Sequence, residues 1–482
     1  MHEPPAVRRD PSEIEHLTRE LSAIVGEANV LADHTSLMTY ECDGATLYQS
    51  TPDCVVFPTT TDQVSRIVKL ANKLKIPYLA RGTGTGLSGG CTSVRGGIVI
   101  ALNRMDRILE LDVENRRAIV EPGVVNLWIT DAAAPHGYHY APDPSSQKAC
   151  TIGGNVAENA GGPHTIKYGV TVNHIAALEI VLPSGEVVEF GGECPDPVGY
   201  DLMGVFIGSE GTLGIATKIA VKLTRDPQAR KTLLAVFGTI DEATSTVSEI
   251  IADGIIPAAL EMMDRLVIQA VEEAFHFGFP DDAAAVLIVE LEGIEAGMDG
   301  QAAQITSLFE RFNARDVRVA RDETERELLW KCRKSAFGAL GRLAPCFLTQ
   351  DGVVPRTRLP EVLRKCYEVS EKYGLPIANV FHAGDGNIHP ILLFRQEDPE
   401  QCELVLKASG EILLACVEAG GTITGEHGVG IEKMEFMPLI FTPQDLALMR
   451  DVQTVFDPDG LCNPGKIFPS EDEERWGIRV NE

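Results

Sequence analysis

Apolar residues follow two different spacings along the first half of the chain. Over residues 62–74 they recur at helical spacing, which predicts a helix with Thr60 or Thr61 as its N-cap. A second helix is predicted over residues 11–25. Short apolar runs bounded by glycine, proline or Ser-Gly turns predict strands. These strands are expected at residues 76–80, 97–102, 118–120, 175–182, 187–190 and 215–223.

The pattern changes after Asp226-Pro227, where longer helices alternate with strands. We therefore expect a domain boundary near residues 225–230 and an α+β fold. In this half, strands are predicted at 232–238 and 284–291, and helices at 239–253, 321–336 and 442–456. The predicted divisions of the chain are an N-terminal segment at 1–50, a first domain at 51–227, a second at 228–440, and a C-terminal helix and tail at 441–482.

Composition narrows the classes of function. The 482 residues include 42 Lys and Arg against 70 Asp and Glu, a formal charge of −28, which disfavours binding to nucleic acid or to anionic lipid. The first residues carry prolines and charges, and no apolar run reaches the roughly 18 residues of a spanning helix, so a cytoplasmic protein is expected. Eleven cysteines without a CxxC pair indicate reduced thiols rather than disulfides, a zinc ribbon or an iron–sulfur cluster.

A glycine-dense loop follows the strand predicted at 76–80. Residues 81–90 contain the spacing G-x-G-x-x-G of nicotinamide-dinucleotide sites, but that motif requires a helix next, and here a strand begins at about Ile98. NAD is therefore not expected. The loop is instead suited to an anion nest for a diphosphate, and the alternative is a flexible connection between strands. The nest would be formed by Gly82, Gly84, Gly86, Gly89 and Gly90, with hydroxyl donors from Thr83, Thr85 and Ser88.

Two further glycine-rich segments lie in the same half, at residues 142–162 and 208–215. Small residues permit a close approach of backbone to a flat ligand, and Asn155 and Asn159 add paired donors and acceptors. We interpret the three segments as loops lining an extended dinucleotide site.

Histidines stand out in the second half. His382 and His389 flank a Gly-Asp-Gly turn, and Glu426 lies between Gly425 and His427. Two histidines and one carboxylate are ordinary ligands for Zn²⁺ or Mn²⁺ and would leave positions open for a substrate. The alternative is that these are turn histidines that donate to backbone carbonyls.

The motifs of the first half, taken together, resemble the FAD-binding domain of the vanillyl-alcohol-oxidase/PCMH-type flavoproteins. They are RGTGTGLSGG, APDPSS, TIGGNVAENAGG, KYG and GSEGTLGI, in that family's order and spacing. The resemblance implies a two-subdomain FAD-binding domain at 51–227, a substrate (cap) domain with an antiparallel sheet at 228–440, and a tail that returns to the flavin. It also implies non-covalent FAD, since residues 81–90 lack the histidine through which some members attach it.

The resemblance assigns cofactor binding residue by residue. The implied set is Arg81, Gly82, Thr83, Gly84, Thr85, Gly86, Ser88, Gly89, Pro142, Asp143, Ser145, Ser146, Ile152, Gly153, Gly154, Asn155, Gly161, Tyr168, Glu210, Gly214, Ile215 and Asn463.

The second half resembles the substrate domain of the same flavoproteins, a group that includes D-lactate, D-2-hydroxyglutarate and glycolate dehydrogenases. The resemblance implies a metal, Zn or Mn, on His382, His389 and Glu426, with His427 as the base. The metal would lower the pKa of the substrate hydroxyl, and the α-hydrogen would leave as hydride to flavin N5. The resemblance implies that Arg333 binds the substrate, and Arg342 and Asn387 are further candidates for substrate binding.

The resemblance also bears on substrate and partners. D-2-hydroxyglutarate enzymes have a lysine shortly before the position of Asp351, and here Thr349 and Gln350 stand, so a monocarboxylate such as glycolate or D-lactate is expected. The implied partners are an iron–sulfur subunit and a second flavin-domain subunit of a glycolate oxidase complex, which could hold the protein at the inner membrane. The alternatives are a stand-alone D-lactate or D-2-hydroxyglutarate dehydrogenase, an oxidase that uses O₂, a metal-dependent hydrolase, and a non-catalytic flavin scaffold.

Overall fold

The protein is described by a computed structural model that covers residues 9–192 and 198–469. Parts of the predicted segments 1–50 and 441–482, as well as Cys194, lie outside the described residues. The chain forms two compact units. The first unit comprises Met1–Gly161, Val170–Arg225 and Glu426–Glu482, and the second comprises Gly162–Gly169 and Asp226–Gly425. The predicted functional domain boundaries stay predictions.

A four-stranded sheet begins the first unit. Three of its strands are parallel, and the short edge strand is antiparallel. Helix Thr61–Leu74 packs on this sheet through Val64, Ile67 and Val68, and it begins as predicted because the Thr60 hydroxyl accepts the N–H of Gln63. In sheet order the strands are Val30–Leu31, Cys54–Val56, Ile98–Ala101 and Tyr78–Arg81. The neighbouring helices are Pro11–Val25, which was predicted, and the short His34–Leu37.

A five-stranded antiparallel sheet forms the other layer of the first unit. In sheet order its strands are Ile108–Asp112, Arg117–Val120, Ile215–Lys222, Ile175–Val181 and Val187–Gly191. A two-stranded ribbon pairs Tyr138–His139 with Thr224–Arg225. The helices that accompany this sheet are Asn126–Ala133, Ile152–Glu158 and Leu202–Phe206.

The C-terminal stretch belongs to the first unit. It contains helix Pro443–Phe456, and it then adds a short extended segment beside the strand that leads into the glycine-dense loop. Tyr78 donates its N–H to the carbonyl of Leu461 at 2.9 Å, and Asn463 donates to the carbonyl of Tyr78 at 2.7 Å. The tail is therefore fixed next to residues 81–90.

The second unit is built on a nine-stranded antiparallel sheet. Its long central strands are buried along all or most of their length, which explains their near-continuous apolar sequences. The strands are Asp316–Val319, Ala229–Phe237, Ala285–Gly293, Ala259–Asp264, Ile377–His382, Asn387–Ile388, Gly352–Val353, Pro390–Phe394 and Cys346–Thr349. The helices are Thr165–Tyr168, Ile240–Ala252, Arg265–Phe275, Met298–Arg311, Glu323–Lys334, Ala336–Leu340, Leu359–Tyr373 and Pro399–Glu418.

The predicted elements agree with the observed ones to within a few residues, and the α+β class with an antiparallel second sheet is confirmed. Residues 82–97, all described, contain neither helix nor strand, as predicted for the loop that lacks a dinucleotide-motif helix. One expectation was wrong. Residues 152–158 form a helix rather than a loop. The helix follows Thr151, whose backbone is extended, and it ends at Asn159, whose backbone is left-handed with φ 55°.

Two further expectations from the sequence concern the apolarity of the helices and the state of the cysteines. Among the described residues, no helix is both long and apolar enough to cross a bilayer. The ten cysteines in the described part of the chain are free thiols.

Candidate functional site

The glycine-dense loop of the first unit packs directly against the segment before helix Ile152–Glu158. A Cβ atom on Gly82 would collide with the Thr151 hydroxyl, and the hydroxyl of Thr83 donates to the carbonyl of Ala149 at 2.8 Å. Glycine at position 82 therefore leaves room for the Thr151 side chain against the loop. These two segments form one continuous surface of small residues.

Arg81 braces the loop through its guanidinium. It donates to the carbonyl of Cys42 at 2.8 Å and to the Cys91 sulfur at 3.1 Å, and it lies over the Tyr40 ring. Gly84, at φ 74°, passes so close to this guanidinium that a side chain there would collide with it. Arg81 thus supports the shape of the loop.

Helix Ile152–Glu158 connects the third glycine-rich segment to the first two. Gly208 donates its N–H to the carbonyl of Val156 at 2.9 Å, and Glu210 donates to Ala157 at 2.8 Å. Asn155 is buried, and its side-chain oxygen accepts from Asn126 at 2.9 Å. The three segments predicted to line a dinucleotide site therefore lie side by side.

Glu210 and Asn463 tie this surface to the stretch that follows His427. The Glu210 carboxylate accepts the N–H groups of Val429 at 2.7 Å and Gly430 at 2.6 Å. Asn463 donates its amide to the carbonyls of Gly90 and Glu210 at 2.9 and 2.7 Å. Glu210 thus fixes Val429 and Gly430, and Asn463 fixes the backbone of Gly90 and of Glu210 itself; both side chains were predicted to serve the cofactor.

Buried charges surround this surface. Burial raises the pKa of Asp43 to about 6, and burial together with the Glu210 charge raises the pKa of Glu158. Burial lowers the pKa of Lys466 to about 8, although nearby carboxylates oppose that shift. Within the described residues, Oε2 of Glu158 has no hydrogen-bond partner. The raised pKa values lessen the negative charge that these acids present to an anionic diphosphate, and the glycines of the surface admit a flat ring.

The second unit brings the two predicted metal-binding histidines together. His382 ends strand Ile377–His382, and a tight turn returns the chain to His389, so that the ring centroids lie 5.1 Å apart at 90°. His382 donates from Nδ1 to Glu261 at 2.6 Å, and His389 donates from Nδ1 to the carbonyl of Gln350 at 3.3 Å. Since both Nδ1 atoms face acceptors, a metal bond would fall to Nε2 in each ring. The donor set therefore fits a divalent cation.

Arg333 lies beside the same histidine. It is on helix Glu323–Lys334, is 3 % exposed, and donates from Nε to Glu261 at 2.7 Å. Burial alone would raise the pKa of Glu261, but its interactions with His382 and Arg333 outweigh burial and lower that pKa. Arg342, the other predicted arginine, is exposed.

Asp351 fixes the chain immediately before Glu426. Its Oδ2 accepts the Gly425 N–H at 2.8 Å and the Thr424 hydroxyl at 2.6 Å, while Oδ1 lies 3.7 Å from Nδ1 of His389. Asn387 is buried in the turn between the histidines, and Gly425 passes so close that a Cβ atom there would lie 2.7 Å from its amide nitrogen. Glu426 and His427 follow Gly425 directly in the chain.

Two families of known proteins match the chain. Residues 52–191 match the FAD binding domain, and residues 226–467, half of the chain, match the C-terminal domain of FAD linked oxidases. The chain belongs to the FAD-linked oxidases of the vanillyl-alcohol-oxidase/PCMH type. The first half of this FAD-linked oxidase therefore contains an FAD-binding domain, as the resemblance of its motifs predicted.

Curated relatives cover nearly the whole of this FAD-linked oxidase. Glycolate oxidase subunit GlcD of Escherichia coli (strain K12) is 45 % identical over 441 residues, which is 92 % of this chain and 88 % of the relative. The GlcD subunit of Bacillus subtilis is 39 % identical over 95 % of this chain and 97 % of its own. A D-lactate dehydrogenase of Archaeoglobus fulgidus is 35 % identical over 86 % and 90 %. The chain is an FAD-linked hydroxy-acid oxidoreductase.

Solved structures support the fold. A p-cresol methylhydroxylase with bound substrate has a TM-score of 0.79 at 19 % identity and covers 95 % of this chain and 97 % of its own. A 4-ethylphenol oxidase from Gulosibacter chungangensis has the same TM-score and identity, with 96 % and 99 % covered. The predicted fold of the FAD-linked oxidase is thereby confirmed.

Sequence reasoning singled out Tyr168 but missed Glu261. Tyr168, predicted to bind the cofactor, lies in the segment Gly162–Gly169 of the second unit, where its hydroxyl hydrogen-bonds the buried Glu292. Glu261 was not singled out by function, although it contacts two predicted site residues. The available signal was a carboxylate inside an otherwise apolar strand, Ala259–Asp264, whose residues are all buried.

Proposed function

We propose that this FAD-linked oxidoreductase oxidises a small 2-hydroxy monocarboxylate, glycolate or D-lactate, to the corresponding 2-oxo acid. The observation that carries the proposal is the similarity, over nearly the full chain, to relatives named glycolate oxidase subunits. The D-lactate dehydrogenases among the relatives support D-lactate as the second candidate substrate.

FAD is held without a covalent bond by the three glycine-rich segments of the first unit. Their close packing supports this role, since the Thr151 and Arg81 side chains leave no room for a Cβ at Gly82 and Gly84, as does the absence of histidine from residues 81–90. When bound, the flavin supplies the acceptor, at N5, for the hydride that leaves the substrate.

A divalent metal, Zn or Mn, would be held by His382, His389 and Glu426, the two imidazoles through Nε2 and the glutamate through its carboxylate. The ring centroids of the two imidazoles lie 5.1 Å apart, and the Asp351–Gly425 hydrogen bond ties the residue before Glu426 to the neighbourhood of His389. A metal there would act as a Lewis acid on the substrate hydroxyl and lower its pKa.

His427 takes the hydroxyl proton, and Arg333 receives the substrate carboxylate. Glu210 supports the first role because it fixes Val429 and Gly430, two and three residues after the base. Arg333 is buried, and its guanidinium fork suits a carboxylate. Asn387 and Arg342 are the further candidates for substrate binding, the first buried and the second exposed.

The substrate carries one carboxylate rather than two. Thr349 and Gln350 stand where a lysine meets the distal carboxylate in D-2-hydroxyglutarate enzymes, and both are buried. Neither side chain provides a positive charge for a second carboxylate.

Electrons leave through partner subunits. The relatives named as subunits support an assembly, in which we place an iron–sulfur subunit and a second flavin-domain subunit. The sequence has no CxxC motif with which to build a cluster of its own. Attachment to the inner membrane would be made through these partners.

An anaerobic titration tests the proposal. Purified protein is mixed with glycolate, D-lactate and D-2-hydroxyglutarate, before and after chelator treatment, while flavin absorbance is followed. Glycolate or D-lactate should bleach the flavin, a chelator should slow the bleaching, and Zn²⁺ or Mn²⁺ should restore it. The matched control is His34→Gln, at an exposed histidine. A colourless protein, or a preference for D-2-hydroxyglutarate, would contradict the proposal.

A further inference from the structure

Glu261 occupies an unusual position for a carboxylate. It lies inside strand Ala259–Asp264, between two other strands of the nine-stranded sheet, and is 1 % exposed. The strand register pairs it with His382, so the two side chains lie on one face of the sheet. A charge is rarely kept at such a depth unless several partners satisfy it.

Both oxygens of Glu261 are used by residues of the proposed site. Oε1 accepts from Nδ1 of His382 at 2.6 Å, and Oε2 accepts from Nε of Arg333 at 2.7 Å. The two donors come from chain segments about fifty residues apart, a strand end and a helix. One carboxylate therefore connects a metal-ligand candidate to the substrate-carboxylate candidate.

The other acid of the same strand provides a contrast. Asp264 caps helix Arg265–Phe275 by accepting the Val267 N–H at 3.1 Å, and it accepts two hydrogen bonds from Asn379 at 2.9 Å. Its partners are structural elements of the fold. Glu261, three residues earlier, has partners that were singled out for chemistry.

Each contact of Glu261 determines the orientation of a functional group. The bond to Nδ1 keeps the proton on that nitrogen and directs the lone pair of Nε2 outward for a metal. The bond to Nε fixes the rotation of the Arg333 guanidinium. Within the described part of the chain, Nε is the Arg333 atom with a hydrogen bond, so the terminal nitrogens keep their capacity for a substrate carboxylate.

We propose that Glu261 is a positioning residue that sets the tautomer of His382 and the orientation of Arg333 together, and so couples metal binding to recognition of the substrate carboxylate. This inference rests on the proposed function. Glu261 touches neither substrate nor cofactor in this role, because it acts through its two partners.

Glu261→Gln separates the two contacts while preserving size. An amide accepts on its oxygen but donates on its nitrogen. If the oxygen faces Arg333, the amide nitrogen faces His382 and forces the proton onto Nε2, which blocks the metal. If the oxygen faces His382, the amide opposes the Arg333 N–H. One partner must be lost in either case.

The test measures metal affinity and tautomer in the full-length flavoprotein. Zn²⁺ affinity is measured by chelator competition and Mn²⁺ affinity by electron paramagnetic resonance. Glu261→Gln should weaken binding roughly tenfold to a hundredfold, the range for lost partners of metal-binding histidines. It should also raise the concentration of glycolate or D-lactate that half-bleaches the flavin, while flavin content stays unchanged.

The matched control is Glu290→Gln. Glu290 is also a 1 % exposed glutamate, lies on the neighbouring strand Ala285–Gly293, and contacts Trp330 of the Arg333 helix rather than a predicted ligand. It should leave the affinity for either ion within about twofold to threefold of the parent, since it touches no predicted ligand.

A measurement on metal-free protein separates this inference from the proposed function. Nitrogen-15 NMR of histidine-labelled protein, with His382 assigned through His382→Gln, should show Nδ1–H in the parent and a changed tautomer in Glu261→Gln. If the parent binds neither ion but the tautomer shift appears, the metal part of the proposed function fails and the positioning role stands. In Glu261→Gln, a tautomer and an ion affinity that are both unchanged, together with an unchanged half-bleaching concentration of glycolate or D-lactate, overturn the positioning role.

Discussion

The predicted cofactor site of the first unit and the predicted substrate site of the second unit are built from different parts of the chain. In the first unit the predicted cofactor surface consists mainly of backbone, brought together by glycines at which a side chain would collide with Thr151 or Arg81. In the second unit the predicted substrate site consists of buried side chains, with Glu261 and His382 on neighbouring strands of the sheet and Arg333 on a helix. A backbone surface fits a large flat cofactor through shape, whereas a side-chain cluster supplies charge and proton donors at defined points. Because of this difference, we expect substitutions in the first unit to affect flavin binding and substitutions in the second unit to affect metal binding, substrate binding or turnover.

The largest effect is expected for His427→Ala. Removing a general base costs roughly a hundredfold to ten-thousandfold in rate, so kcat for glycolate or D-lactate should fall by that factor. FAD should stay bound, because residues 428–430 are held through their backbone by Glu210. Turnover and flavin content are measured on the same preparation. If His427→Ala loses its flavin, or turns over as fast as the parent, the separation of cofactor binding from catalysis is wrong.

Acid should weaken the second unit through Glu290. Burial would raise the pKa of this carboxyl, but His164, Arg326 and Trp330 hold it at about 2. Because the folded-state pKa lies below the unfolded value, the stabilisation is present above about pH 4.5 and disappears as the pH falls towards 2. The shift corresponds to about 3 kcal/mol at neutral pH.

Glu290→Gln exposes this pH dependence. Urea unfolding followed by tryptophan fluorescence should show the variant less stable than the parent at pH 6, with the difference shrinking below pH 4. Trp330 donates to Glu290 at 2.5 Å and reports locally. A difference that stays constant with pH would mean that the charge of Glu290 contributes nothing.

Arg333→Lys tests whether the second unit binds the substrate carboxylate through the Arg333 guanidinium. Lysine keeps the positive charge but loses the fork, and a charge-assisted hydrogen bond is worth about 1.5–3 kcal/mol. The dissociation constant for glycolate or D-lactate, from flavin bleaching, should rise roughly tenfold to a hundredfold. Arg342→Lys, at the exposed second candidate, should raise it less. The reverse order would move the carboxylate site to Arg342.

Gly82→Ala addresses the backbone surface of the first unit. The added methyl group would collide with the Thr151 hydroxyl, and overpacking of this kind costs about 1–3 kcal/mol. Flavin should dissociate more readily on dilution, while Zn²⁺ or Mn²⁺ affinity is retained. Gly300→Ala, where an added Cβ meets nothing within 4 Å, is the control. If Gly82→Ala retains flavin but binds Zn²⁺ or Mn²⁺ more weakly, the assignment of the cofactor to this surface is contradicted.

Much of the architecture could be predicted because its signals are local. The Thr60 cap and the spacing over residues 61–74 act within a few positions of the helix they define. The missing helix after residues 81–90 was predicted from the early start of strand Ile98–Ala101. Helix Ile152–Glu158 was missed because glycines at 153 and 154 suggest a loop, whereas packing decides the matter: a Cβ on Gly153 would lie 2.7 Å from the Pro122 side chain.

The sequence by itself determined the order of elements, the glycine-rich segments and the identity of the histidine and arginine candidates. Only the tertiary structure decided which of them meet: Glu261 lies opposite His382, 121 residues later, through strand register. It also distinguished the buried Arg333 from the exposed Arg342. Caps, turns and periodicity are short-range properties of a chain, whereas a buried ion pair depends on how distant strands and helices align, which no local pattern specifies.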